Sequence, residues 1–84
     1  RISGARLGLS AQDAALFERL RDWRRQTALE HDVPAYVIFH DATLREIAQA
    51  RPADLSQLAR ISGIGVRKLE AYGTAILTAM EAGA

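Results

Sequence analysis

Only one run in this chain has strand character, Val33-Pro34-Ala35-Tyr36-Val37-Ile38-Phe39, and there is no second run for it to pair with. A lone strand leaves its backbone N–H and C=O groups without partners, and even an isolated hairpin is marginal in water. A sheet is therefore excluded, and the fold class expected is all-α. Pro34 disfavours helix at Val33 and blocks continuation of any helix arriving from upstream. The run reads as an extended or single-turn connector packed on a helical core.

The rest of the chain is consistent with that reading. From Asp13 to about His31, Leu16, Leu20, Trp23 and Thr27 recur at four-three-four spacing, which puts them on one helix face. Asp13 is expected to cap this helix, with Ser10 as the earlier alternative. Asp41 is expected to cap a short helix carrying Leu44, Ile47 and Ala48 that ends near Arg51-Pro52. Asp54 with Gln57 resembles a capping box and opens a further short helix with Leu55, Leu58 and Ile61 inward. Ser62-Gly63-Ile64-Gly65 reads as a tight turn. Helix follows from Val66 to about Tyr72, and a further piece runs from about Thr74 through Ile76, Leu77 and Met80 toward Gly83, with Gly73 either joining or kinking the two. The expectation is a compact bundle of about five short helices with a helix-hairpin-helix-like glycine turn. Residues 1–12, with Gly4, Gly8, Ser3 and Ser10 and no clear period, read as a linker tail, leaving 13–84 as the helical domain. The chain opens on Arg1 and not on methionine, so it is expected to be a segment of something longer.

Several chemistries are excluded. With no cysteine and only His31 and His40, a zinc site lacks ligands, and no metal is expected. Nothing suggests a nucleophile elbow or an acidic pair in a cleft, so the domain is expected to be non-catalytic and to hold no cofactor of its own. Gly63-Ile64-Gly65 lacks the strand and the lysine-hydroxyl pair of a nucleotide-binding loop. No run is long and apolar enough for a membrane span, and the absence of cysteine fits a reducing, cytoplasmic compartment. A net charge of +1 argues against binding nucleic acid by bulk electrostatics, so any such contact must be local.

Three local features can make such a contact. In the glycine turn, Gly63 and Gly65 either present backbone amides to an anion at the next helix's N-terminus, with Arg67 and Lys68 adding charge, or simply permit a sharp reversal. Tyr36 follows Pro34-Ala35 in the connector and serves equally well for stacking on an unpaired base or for core packing, whereas Trp23 belongs with the core. Arg21, Arg24 and Arg25 cluster off the apolar stripe, flanked by Glu18 and Asp22, as a basic ridge or a solvated face.

Three segments in order resemble the helicase-and-RNase-D C-terminal (HRDC) domain family, with wording similar to that of bacterial RecQ-type helicases. They are Leu16-Phe17-Glu18-Arg19-Leu20-Arg21-x-Trp23-Arg24, Val33-Pro34-Ala35-Tyr36-Val37-Ile38-Phe39-x-Asp41-Ala42-Thr43-Leu44, and Ile61-Ser62-Gly63-Ile64-Gly65-x-x-Lys68-Leu69-x-x-Tyr72-Gly73. The resemblance implies a non-catalytic accessory domain that binds single-stranded or partly duplex DNA weakly and tunes the substrate preference of a parent helicase. That parent would use ATP and magnesium, in DNA repair and recombination. Tyr36 is implied as the leading single-strand contact, with Arg21, Arg24, Arg25, Arg67 and Lys68 as helpers. The implied partners are DNA and the parent helicase core, with the isolated domain a monomer and the location the bacterial nucleoid. The near-neutral charge keeps a second reading, a regulatory module docking on the helicase core or another protein. A third is the RNA-processing, ribonuclease D branch of the family.

Overall fold

A computed structural model describes residues 9–81. They form α1 (Ala11–His31), α2 (Ala35–Ile38), α3 (Asp41–Ala50), α4 (Leu55–Leu58) and α5 (Val66–Glu81), and among the described residues there is no strand. The strand-like run becomes a single helical turn, α2, entered through Pro34 and left through an extended Phe39.

The long helix α1 is the spine. Its buried face carries Leu16, Leu20 and Thr27 from the apolar stripe, widened by Phe17, Arg24 and Ala28. Trp23 is half-buried, packed on the core and edge-on to Tyr72, with ring centroids 5.8 Å apart. The helices α2, α3 and α5 each pack against α1, and α4 packs on α5. Leu20, Ile38, Leu44, Ile47, Leu58 and Ile76 are fully buried where these elements meet. Taking Leu20, Ile38, Leu44, Ile47, Leu58 and Ile76 out of water contributes roughly 1.5–3 kcal/mol each.

The helix ends differ in places from the expected ones. Ser10, not Asp13, caps α1: its Oγ accepts from the Asp13 amide at 3.1 Å. The Asp13 carboxylate is taken by Arg51, whose Nε and Nη2 donate to it at 2.9 and 2.6 Å and so tie the end of α3 to the start of α1. Asp41 is the first helical residue of α3, and the capping position belongs to His40, whose side chain makes no capping bond. Asp54 and Gln57 do form a capping pair, the Gln57 amide donating to Asp54 Oδ1 at 2.8 Å while Gln57 Oε1 accepts from the Ala53 amide.

Two further expectations change, and the alternatives left open at Gly73 are resolved. Residues 9–12 are not tail, because Leu9 is buried and Ala11 and Gln12 are helical; residues 1–8 lie outside the described residues, as do 82–84 with the expected stop at Gly83. Leu55 is largely exposed and leans over Gly73, where an added Cβ would come within 2.7 Å of its Cδ2. Gly73 does not break the last helix: α5 runs through it, and its missing side chain lets α4 lie close.

Candidate nucleic-acid interface

Charged side chains from two other helices reach the short α2 and the residue that follows it. A single turn supplies little cohesion of its own, because helix nucleation is costly and short helices are held by their neighbours. On one side Arg24 of α1 is 8% exposed; its Nη1 donates to the Phe39 carbonyl at 2.9 Å and its Nη2 pairs with Asp41 Oδ1 at 2.6 Å. On the other side Lys68, in the first turn of α5, donates from Nζ to the carbonyls of Val37 and Ile38, with its ammonium 5.0 Å from the centre of the Phe39 ring. These carbonyls end α2, where a cation is favoured by the helix dipole.

Fixed in this way, α2 turns Ile38 and Phe39 into the core and leaves Tyr36 at 62% exposure. Between stacking and core packing, the fold removes core packing for Tyr36. Its ring lies 6.2 Å from that of His40 at an interplanar angle of 23°, and Arg24, Ala35, Tyr36, His40 and Asp41 line a shallow groove beside it. A second groove, lined by Glu18, Arg21, Asp22, Arg24, Arg25 and Ala35, adjoins the first and shares Arg24 and Ala35 with it. The basic ridge and Tyr36 are therefore neighbours.

The ridge is less basic than its composition. Arg21 pairs with Glu18 at 3.4 Å and lies over the Phe17 ring, and Arg25 pairs with Asp22 at 3.5 Å. Arg24 belongs neither to a ridge nor to a solvated face, because the connector folds over that side of α1 and turns the arginine into a clasp. Lys68 is drawn in the same way from the glycine turn toward α2. Arg67 remains exposed at the start of α5.

In the glycine turn, Gly63 has φ +91°, a left-handed conformation that side chains oppose, and an added Cβ would fall 2.7 Å from Thr43 Oγ1 on α3. Gly63 thus serves reversal and close packing. Nothing lies within 4 Å of a Cβ built on Gly65, so packing imposes no glycine there. The Leu69 amide donates to the Gly65 carbonyl at 2.9 Å, which starts α5 directly after the turn. Among the described residues no three His, Asp or Glu side chains come together as a metal site, and no helix is long and apolar enough to cross a membrane.

Sequence reasoning missed His40 and Asp41 as neighbours of Tyr36. The four-residue spacing of Tyr36 and His40 was the available signal, but α2 ends at Ile38, and their proximity depends on the extended Phe39 between them.

The HRDC domain family model matches residues 13–80. The chain is 51% identical over 65 residues to the ATP-dependent DNA helicase UvrD2 of Mycobacterium tuberculosis, covering 77% of this chain and 9% of that protein. It is 43% identical over 68 residues to the ATP-dependent DNA helicase RecQ of Haemophilus influenzae, covering 81% and 11%, and 38% identical over 71 residues to RecQ of Pasteurella multocida, covering 84% and 11%. The chain thus spans only about a tenth of the length of these relatives. Among solved structures, HRDC domain 3 of D. radiodurans RecQ superposes with a TM-score of 0.82 at 39% identity, covering 86% of this chain and 95% of that one.

Proposed function

The chain belongs to the HRDC domain family, and from that premise we propose that it is the accessory domain of an ATP-dependent DNA helicase, where it holds single-stranded or partly duplex DNA weakly through Tyr36 and biases which DNA structures the enzyme engages. The observation that carries this reading is Tyr36 itself: a large aromatic ring at 62% exposure on a helical turn fixed from both sides by Arg24 and Lys68. A backbone turn held in place before binding leaves less to order when a base stacks on the ring it carries. Arg21 and Arg25 border the neighbouring groove, and the Gly63–Gly65 turn with Arg67 offers backbone amides and one charge to a phosphate. Lys68 contributes by holding α2.

The parent is read as a helicase and not a ribonuclease D because the relatives described above are named as helicases, and ATP and magnesium belong to that parent. A DNA-bound helicase would bring the domain to the bacterial nucleoid, in repair or recombination. For so few phosphate contacts the affinity should fall on the order of 10⁻⁴ to 10⁻⁶ M with a shallow salt dependence. Titrating labelled oligodeoxythymidylate at low salt, followed by anisotropy, tests this. Tyr36→Ala should weaken binding about fivefold or more, at an unchanged melting temperature. No saturation at high micromolar protein, or an unchanged affinity in the variant, refutes the mechanism.

One observation favours a second reading. Arg21, Arg24 and Arg25 each face a carboxylate of the same chain, which leaves little free positive charge around Tyr36 and suits docking on the helicase core or another protein. In that case amide shifts around Tyr36 appear on adding the partner protein and not on adding DNA.

A further inference from the structure

We propose that His40 is the second half of the DNA contact, its imidazole and the Tyr36 ring together forming a two-ring shelf for one unpaired nucleobase; this rests on the reading of Tyr36 as a DNA contact. The two rings are close to parallel, at 23°, with centroids 6.2 Å apart, so a base lying parallel to one lies close to parallel to the other. Both residues are exposed, so the shelf is open to a flat ligand.

The backbone of His40 starts α3, its carbonyl accepting from the Thr43 and Leu44 amides at 3.1 and 3.2 Å, while its ring is left for another use. His40 occupies the capping site of α3, where a side-chain oxygen normally accepts a backbone N–H, yet its ring makes no capping bond. The groove under the shelf is lined by Arg24, Ala35, Tyr36, His40 and Asp41. Its one guanidinium is committed to Asp41 and to the Phe39 carbonyl, so the groove offers a phosphate no free arginine and sets a carboxylate near it. A base meets neither obstacle: it needs an aromatic face, and the short Ala35 side chain keeps the groove unobstructed. The chemistry of this corner selects the base over the backbone of a single strand, leaving phosphates to Arg67 and the glycine turn.

Binding of the whole chain to labelled oligodeoxythymidylate, and to an abasic oligonucleotide of the same length, tests the shelf. His40→Ala and His40→Gln should each weaken binding to the base-bearing strand about three- to tenfold, as expected for part of a stacking contact. His40→Phe, which keeps a ring and loses the ring nitrogens, should stay within about twofold of the wild type, and none of the three should alter the weaker abasic binding. Melting temperatures matching the wild type exclude a folding defect. If His40→Ala binds like the wild type while Tyr36→Ala is weakened, the shelf is overturned and the role of Tyr36 stands. Equal weakening toward both strands, or a His40→Gln that binds normally beside a weak His40→Phe, overturns it too. If the wild type itself does not bind, the shelf and the DNA reading fall together.

Discussion

Arg24→Ala should cost this chain more stability than any exposed substitution on α1, and the structure allows the cost to be worked out. The truncation removes the donor to the Phe39 carbonyl at 2.9 Å and the partner of Asp41 at 2.6 Å. Phe39 is 3% exposed, so its carbonyl loses a charge-assisted bond worth about 1.5–3 kcal/mol, with desolvation already incurred. Asp41 has a side chain 60% exposed, and its ion pair is screened, adding at most about 1 kcal/mol. Against these runs a gain: Arg24 Nε is buried without a partner, and truncation removes that burden, worth about 1 kcal/mol. The net expectation is a loss of about 0.5–3 kcal/mol, equivalent to a fall in melting temperature of about 2–24 °C for a domain of this size. Urea unfolding followed by far-UV circular dichroism measures it, with an unchanged slope showing that the same surface is exposed on unfolding. Arg24→Lys should recover only part, since one ammonium does not reproduce the forked geometry that reaches a carbonyl and a carboxylate together. A loss below about 0.5 kcal/mol for Arg24→Ala would refute the view of Arg24 as a clasp and return it to the basic ridge.

Two other substitutions test the same framework. Gly63→Ala places a side chain at φ +91° and against Thr43 Oγ1, and should destabilise the fold by about 1–3 kcal/mol in a denaturant titration, whereas Gly65→Ala, with open space at its Cβ, should be milder by that measure. Lys68→Met keeps the stem over Phe39 but removes the donor to the α2 carbonyls; stability should drop by about 1–2 kcal/mol, with amide exchange quickening first in 35–39, and a uniform increase across the chain would contradict the local role given to Lys68.

The all-α class, the single-turn connector, the capping pair at Asp54 and Gln57 and the main apolar positions were legible in the chain itself, because they follow from short-range rules. An unpaired strand-like run, a four-three-four stripe and a capping box each concern residues within one or two turns of one another. Tyr36 was legible as a candidate through the wording around Pro34, but its exposure was not, since spacing alone left core packing and stacking balanced. Helix ends were harder: Ser10 and His40 hold the capping positions, while Asp13 and Asp41 are paired with Arg51 and Arg24, which arrive from elsewhere in the chain.

Tertiary structure alone decided what the charged residues do. Arg24 and Lys68 read as contributors to a basic surface, and both are committed inward to the C-terminal end of α2, across sequence separations of 15 and about 30 residues. The reason lies in the shortness of α2. One helical turn leaves its terminal carbonyls unsatisfied in a partly buried setting, and the nearest long cationic side chains are recruited to satisfy them. Local pattern can show that such a turn exists and that cations are available; which cation reaches which carbonyl depends on how α1 and α5 are packed around it. The same packing brings His40 beside Tyr36.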